Sequence, residues 1–210
     1  MTGPDTTLRL AELLAARLCH DLASPLGVLG GLLELADGGD AAALADARAA
    51  AASLAGRLRL LRAAWAADPV PLQPAALLEL AGAMTMDGHI SIDATGLAMV
   101  GAFSAMAGRL TLNMLLLGAQ ALRGQGRLHL AGAAGAEISL RIAGPRAAWP
   151  AGTAACLADP DTAWQHLDDA RALQLPLTVL LAQQAGLRLS MLLPLTAAPD
   201  APPPLRLSLG

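Results

Sequence analysis

The residues most able to do chemistry in this chain lie in the stretch Arg17-Leu-Cys-His-Asp-Leu-Ala-Ser-Pro-Leu26, where a His-Asp pair interrupts a leucine-patterned segment. On a helical wheel His20 shares a face with small and polar residues, so we expect its side chain to be exposed. Imidazole is a good nucleophile near neutral pH. A carboxylate such as that of Asp21 can keep one ring nitrogen protonated while the other attacks phosphorus. His20 is therefore a candidate phosphoacceptor, and Asp21 is the candidate that orients its ring.

The neighbours of this pair have possible roles of their own. Pro25 removes the backbone donor that would bond the Asp21 carbonyl, which predicts a kink or a local loosening one turn after His20. Arg17 lies one turn earlier and either contributes charge toward a phosphoryl group or an acidic partner, or is simply solvated. Metal ligation by His20 is disfavoured, because no second His, Cys or Glu stands at a ligand spacing on that helix. Phosphoryl transfer needs little beyond positioning and charge neutralisation, so this short set of residues suffices for it.

Two long helices must position these residues. Leucines at helical spacing predict one helix over 5–36, and a second leucine and alanine stripe predicts another over 41–67. The short turn at 37–40 makes them antiparallel neighbours. Two such helices cannot bury their apolar stripes against each other alone. We therefore expect a homodimer in which two hairpins form a four-helix bundle.

The rest of the chain alternates strands and helices after the proline-rich segment 68–74. This order predicts an α/β sandwich with helices on one face of a mixed sheet. The predicted division is a helical hairpin over 1–68, an α/β domain over 69–198, and a proline-rich tail over 199–210 that is disordered or a short extension. The predicted strands are 89–93, 127–131, 137–143 and 188–193, and the predicted helices are 75–82, 102–122, 162–172 and 177–185.

Composition favours a helix-rich protein and gives no support for a nucleic-acid-binding or membrane-spanning one. Hydrophobic residues make up 55% of the chain and aromatic residues only 2%, which favours helices packed through small side chains. The net charge of −3 gives no indication of a nucleic-acid partner. No apolar run is long enough for a membrane span, and the acidic N-terminus lacks the layout of a signal peptide. Cys19 and Cys156 form no motif, so we expect free thiols and a cytoplasmic protein.

A resemblance to a known family rests on these motifs. His-Asp followed by Pro-Leu resembles the H-box of the histidine-kinase dimerisation and phosphotransfer domain, and LCHDLASPLGVLGGLLEL resembles the histidine phosphotransferases of the ChpT type. TLNMLLLGAQ is similar to the N-box of the kinase ATPase (GHKL, or Bergerat) fold, and PLTVLLAQQAGLRLSM is similar to that fold's last helix and strand. The resemblance implies a dimeric four-helix bundle with His20 as phosphoacceptor, followed by a degenerate ATPase-like domain.

The resemblance also implies partners and cofactors. In the family, the histidine accepts a phosphoryl group from the receiver domain of a hybrid histidine kinase and passes it to response regulators. No cofactor belongs to the chain, and Mg²⁺ is supplied by the receiver. Ser24 occupies the position where many kinases carry Thr or Asn to support dephosphorylation, and whether it does so here stays open.

The sequence bears on ATP binding directly. An active kinase domain needs an Asp-x-Gly-x-Gly loop, but the segment after EISLRIA reads Gly144-Pro-Arg-Ala-Ala-Trp149, without an Asp or a glycine pair. Asn113 is retained in the N-box-like segment, and one asparagine cannot hold Mg-ATP alone. Two alternatives stay open: an autophosphorylating kinase core with a divergent nucleotide site, and a non-catalytic dimer that binds response regulators without chemistry.

Overall fold

The computed structural model has an N-terminal helical hairpin followed by a mixed α/β domain, and it describes residues 4–85, 88–192 and 202–208. This confirms the predicted fold class. The helices are α1 (Pro4–Asp37), α2 (Ala41–Trp65), α3 (Pro74–Ala81), α4 (Ala105–Ala121), α5 (Thr153–Ala158) and α6 (Gln174–Gln184), with 3₁₀ helices at Gly82–Met84 and Pro160–His166. The strands are β1 (Ile90–Leu97), β2 (Gly126–Gly132), β3 (Glu137–Ala143), β4 (Arg188–Met191) and β5 (Leu205–Ser208).

The hairpin turn is built by a glycine and a capping aspartate. Gly39 has φ of +96°, a conformation that glycine adopts without steric cost. Asp40 then caps α2, because its Oδ1 accepts hydrogen bonds from the backbone N–H groups of Ala42 and Ala43 at 2.9 and 3.2 Å. The antiparallel arrangement of α1 and α2 follows directly from this tight connection.

The sheet has the strand order β1-β2-β3-β5-β4. The β1–β2 pair is parallel and the other three pairs are antiparallel. Apolar side chains alternate along the strands onto one face, where Leu130 and Leu140 pair across β2 and β3 and are both buried. Helix α4 packs closely on this face. A Cβ at Gly118 would lie 2.9 Å from Leu128 Cδ2, so a larger residue there would push the helix away.

Part of the predicted C-terminal tail forms a strand of the sheet. The prediction of a proline-rich tail over 199–210 is wrong for residues 205–208, which form strand β5 between β3 and β4. Leu205 and Leu207 are fully buried, and the alternation in Leu-Arg-Leu-Ser is that of a half-buried strand. Residues 202–204, all prolines, have no regular secondary structure and lead directly into this strand.

The segment before α6 also differs from expectation. The predicted helix over 162–172 is wrong, because a 3₁₀ helix at Pro160–His166 is followed by turns. Asp159 begins the 3₁₀ helix by accepting a hydrogen bond from the N–H of Asp161, and Asp169 accepts one from the N–H of Arg171. Such local side-chain bonds to the backbone compete with a continuous helix. The short helix α5 has no counterpart in the predicted elements.

A polar seam joins the hairpin to the α/β domain. The last carbonyls of α2 lack partners within the helix, and side chains of α4 satisfy them. Arg109 donates to the carbonyls of Ala64 and Trp65 at 3.1 and 3.3 Å, and Asn113 Nδ2 donates to the Ala64 carbonyl at 2.7 Å. Gln174 of α6 donates to Asn113 Oδ1 at 3.0 Å. Asn113 is fully buried, so this seam fixes where the end of α2 meets the domain.

The hairpin leaves part of its apolar stripe uncovered in the single chain. Ala47 and Leu61 of the predicted α2 stripe are buried, but Leu44 and Leu58 are 40% and 42% exposed. On α1, Leu26 and Leu33 are 51% and 45% exposed and stand seven residues apart, on one side of the helix. Among the described helices, none is both long and apolar enough to cross a membrane.

We predict that strand β5 is required for stability. Leu207→Ala is expected to lower the free energy of unfolding by about 2–4 kcal/mol, since it removes a fully buried side chain from an interior strand of the sheet. Ser208→Ala, on the other face of the same strand, is expected to change it by less than about 0.5 kcal/mol. Urea denaturation measures both. If a chain that ends at Pro204 unfolds at the same urea concentration as the full chain, the assignment of β5 is wrong.

Candidate functional site

His20 lies in the middle of α1 and its side chain is 59% exposed. The residues that flank it on the same side of the helix are small and exposed, namely Ala16, Ala23, Ser24 and Gly27. Its Nδ1 atom is 3.4 Å from Asp21 Oδ1, which is a long hydrogen-bonding distance. A second macromolecule can therefore reach the ring without moving any bulky side chain of α1.

Asp21 is the most constrained group at the site. Its side chain is only 8% exposed, and one carboxylate oxygen accepts hydrogen bonds from two guanidinium groups. Arg17 Nε donates to Oδ2 at 3.0 Å from one turn earlier on α1, and Arg57 Nη2 donates to the same oxygen at 3.1 Å from α2. Two charge-assisted hydrogen bonds hold the carboxylate in place and leave Oδ1 on the side of His20.

These contacts also set the ionisation of Asp21. Burial by itself raises the pKa of a carboxyl group, but the hydrogen bonds and positive charges of Arg17 and Arg57 outweigh it and hold the pKa of Asp21 below the usual 3.8. The carboxylate is therefore ionised at neutral pH. Its Oδ1 can accept a hydrogen bond from the Nδ1–H of the His20 tautomer whose other ring nitrogen, Nε2, is free to attack.

Arg17 links the site to the α/β domain. Its Nη1 donates to the carbonyls of Ala170 and Arg171 at 3.4 and 2.9 Å, in the segment just before α6. Gln120 of α4 donates to the same Arg171 carbonyl at 2.7 Å. The guanidinium of Arg17 is thus occupied by Asp21 and by this segment. Its place in the structure is that of a connector between the two parts of the chain.

Arg57 is not among the site residues predicted from the sequence. The hairpin supplies a signal that could have found its contact with Asp21. In an antiparallel hairpin, positions equally far from the turn lie side by side, and positions 21 and 57 are equally far from Gly39 in the turn. The carboxylate and the guanidinium have opposite charge, so the pairing would have predicted the ion pair.

A groove of about 420 Å³ lies beside the site, between α1 and α2. Its α1 wall includes Ser24, Pro25 and Val28, and its α2 wall includes Arg57. Ser24 is exposed one turn after His20, and α1 continues as a single helix through Pro25. The groove therefore brings together Ser24 and Pro25 of the His20 segment and an arginine from the second helix.

Asn113 and the segment 144–149, where a kinase would bind its nucleotide, make hydrogen bonds within the fold. The amide of Asn113 is used in the seam with α2 and α6. After β3, Arg146 donates to the Arg123 carbonyl and Trp149 Nε1 donates to the Pro203 carbonyl, both at 2.8 Å. Within the described ranges, no three His, Cys, Asp or Glu side chains are grouped as a metal site would require.

We predict that the Asp21 ion cluster stabilises the fold in a pH-dependent way. Asp21→Asn is expected to cost about 1–2 kcal/mol of unfolding free energy at pH 7, because it replaces two charge-assisted hydrogen bonds. Since folding lowers the pKa of Asp21, this contribution is complete above the usual 3.8 and is lost as the pH falls further. Denaturation of both proteins between neutral and acidic pH measures the difference.

Asp46→Asn is the matched control, because Asp46 is exposed on α2 and makes no ion pair among the described residues. It is expected to change the unfolding free energy by less than about 0.5 kcal/mol. A difference between wild type and Asp21→Asn that stays constant down to strongly acidic pH would contradict the role given to the ion cluster.

Comparisons with known proteins bear on the family and on the fold of the chain. Residues 77–194, more than half of the chain, match the family model of the histidine phosphotransferase C-terminal domain. A solved bacterial phosphotransferase, described at 1.7 Å, is similar with a TM-score of 0.72 and 24% identity over 99% of this chain and 98% of its own. A histidine kinase from Burkholderia phymatum STM815 aligns over 99% of both chains, but its TM-score of 0.39 and 16% identity are too low to bear on the fold. No curated protein sequence matches significantly. By the family model, the chain belongs to the histidine phosphotransferase family.

Proposed function

We propose that this chain is a phosphorelay phosphotransferase of the ChpT type, in which His20 accepts a phosphoryl group from a receiver aspartate and passes it to the receivers of response regulators. The observation that carries the proposal is the exposed imidazole of His20 beside a carboxylate that two arginines hold ionised. An exposed nucleophile with a fixed hydrogen-bond acceptor on its other ring nitrogen is what transfer between two proteins requires.

The chemistry follows from the two ring nitrogens. With its proton on Nδ1, directed at Asp21, the neutral ring attacks phosphorus through Nε2. The bond from phosphorus to the donor's carboxylate oxygen breaks as the new nitrogen–phosphorus bond forms, and the donor carboxylate keeps the electron pair. The ring becomes positively charged, and the Asp21 carboxylate at Nδ1 offsets that charge. Attack on phosphorus by an acceptor aspartate reverses the same steps, so Asp21 never has to take the proton fully.

The groove beside His20 is the proposed docking place for the receivers. A receiver that inserts a helix between α1 and α2 would contact Ser24 and Pro25 while it presents its aspartate to the ring. The Mg²⁺ that neutralises the phosphoryl oxygens belongs to the receiver in this proposal. Arg57 is 40% exposed at the edge of the groove and adds positive charge there. The incoming receiver is that of a hybrid histidine kinase and the outgoing ones are those of response regulators.

We expect no role for ATP in this reaction. The amide of Asn113, the residue retained from the N-box, is buried in the seam between α2, α4 and α6. The segment 144–149, where a nucleotide-binding loop would stand, has no Asp and no glycine pair and bonds back onto the fold. Both observations support a domain that depends on another protein for its phosphoryl group.

We predict that His20 carries the label when the protein is mixed with a phosphorylated receiver domain. The label should be acid-labile and base-stable, and His20→Ala should reduce it to background. His89→Ala is the matched control, since His89 is an exposed histidine outside the hairpin and its loss should leave labelling unchanged. Gel autoradiography after acid and base treatment measures this.

Each contrary outcome has a distinct meaning. Label on His20 from γ-labelled ATP alone would identify an autophosphorylating kinase. Absence of label on the wild type, with response-regulator control intact in His20→Ala, would identify a non-catalytic binding module. Label that persists in His20→Ala would place the phosphoacceptor elsewhere.

We also predict a homodimer formed through the exposed stripe of the hairpin. Leu26 and Leu33 on α1 and Leu44 and Leu58 on α2 are all at least 40% exposed in the single chain, and a second hairpin would cover them. Leu33→Glu should convert the dimer to a monomer, because a charge would be buried in the bundle. Val100→Glu, at a 78% exposed position in the α/β domain, should leave the dimer intact. Light scattering after gel filtration decides, and a monomeric wild type would contradict the prediction.

A further inference from the structure

The face of the sheet turned away from α4 carries a regular set of arginines. Strands alternate, so the side chains between the buried apolar ones point to this open face. Each of four adjacent strands places one arginine there, and the other open-face side chains are mostly short. The four are Arg127 on β2, Arg141 on β3, Arg206 on β5 and Arg188 on β4.

The strand register arranges these four residues on one diagonal, which we call the arginine stripe. Arg127 pairs with Ala143, two residues from Arg141 on β3. Arg206 pairs with Ser139, two residues from Arg141 in the opposite direction along β3. Arg188 pairs with Ser208, two residues beyond Arg206 on β5. Each step therefore crosses one strand and moves two residues, which is about 8 Å, so the stripe is about 25 Å long.

The charge of this face is opposite to that of the rest of the chain. The four arginines stand with two acids, Asp93 and Glu137, which gives +2. The other ten arginines and fifteen acids of the sequence give −5, in agreement with the total of −3. Among the residues that the structure describes, Asp93 is bonded to Thr95 and His129 and to no arginine.

Most of the stripe is unpaired. Among the described residues, Arg127, Arg141 and Arg188 make no ion pair and are exposed. Arg206 reaches Glu137 only at 3.6 Å, in a pair whose side chains are 35% and 54% exposed. Exposed pairs of this kind are weak and exchange readily for other partners. The guanidinium groups are therefore available to an incoming anionic surface.

The surroundings of the stripe indicate the kind of ligand. Single-stranded nucleic acids bind sheet faces through several stacking aromatic side chains, whereas the described strands place only one aromatic ring on this face, the imidazole of His129, which is bonded to Asp93. The guanidinium groups of the stripe repeat about every 8 Å along one direction. In an extended peptide, carboxylates at alternate residues repeat at nearly the same interval, about 7 Å. The long arginine side chains can take up the small mismatch.

From the register and the charge we infer that the arginine stripe is a docking surface for an extended acidic segment of a partner protein, with carboxylates at alternate positions. Helix α4 lies between this face and α2, which it contacts through Arg109 and Asn113. A segment bound to the stripe therefore leaves His20 free. The inference does not depend on phosphotransfer.

The test uses a fluorescein-labelled peptide of about ten residues in which Glu and Ser alternate, a length that spans the stripe. Fluorescence anisotropy at low salt measures its affinity for the full chain. Arg141→Gln combined with Arg188→Gln is expected to weaken binding about tenfold, because both guanidinium groups lack other partners. The double variant Arg48→Gln, Arg59→Gln removes the same charge from exposed positions on α2 and should keep the affinity within about twofold.

Three results would overturn the inference: no binding of the peptide at low salt, an equal loss in both double variants, and tighter binding of an oligothymidine of equal charge that depends on the same two arginines. His20→Ala should bind the peptide as wild type does, so failure here is distinguishable from failure of phosphotransfer. If the sheet variant does not fold, a photo-reactive version of the peptide on the unmodified chain gives the answer. Cross-links should map to β2, β3, β4 and β5, and cross-links confined to the hairpin would refute the surface.

Discussion

A carboxylate withdrawn from water must be paired, and the site around His20 is organised by that requirement at Asp21. Arg17 and Arg57 donate to one oxygen of the carboxylate, and the other oxygen lies toward His20. Because Arg17 also donates to two carbonyls before α6, the same ion cluster connects α1, α2 and the α/β domain. The nucleophile can be exposed because its supporting carboxylate is fixed by two guanidinium groups, one of which is itself bonded to the α/β domain.

The second constraint is the unsatisfied end of α2. Its last carbonyls point at the α/β domain and would be costly to bury alone, so Arg109 and Asn113 of α4 supply the donors. Gln174 Nε2 then donates a hydrogen bond to Oδ1, the oxygen of the same Asn113 amide. The asparagine that the resemblance places in a nucleotide-binding motif thus holds the hairpin in position. Domain placement and the proposed independence from ATP rest on the same side chain.

Much of the fold could be predicted from the sequence because it depends on local patterns. The 3.6-residue period and the Gly-Gly turn gave the hairpin, and alternation gave β2 and β3 within one residue. The prediction of a tail over 199–210 was wrong because the prolines before Leu205 indicate irregular structure. The four-residue strand β5 that follows them is stabilised by its two neighbours in the sheet, β3 and β4. The segment 162–172 was misread because its aspartates bond the local backbone, and periodicity alone does not weigh that competition.

The sequence by itself determined which residues could do the chemistry. His20 and Asp21 are adjacent in the chain, and the small residues around them are set by helical spacing. Only the tertiary structure decided what meets them. Arg57 reaches Asp21 across the hairpin, Arg17 reaches carbonyls more than 150 residues away, and four arginines from separate strands form one stripe. The reason is physical: helical periods and turns are encoded locally, whereas strand order, register and the contacts between elements follow from how the whole chain buries its apolar surface.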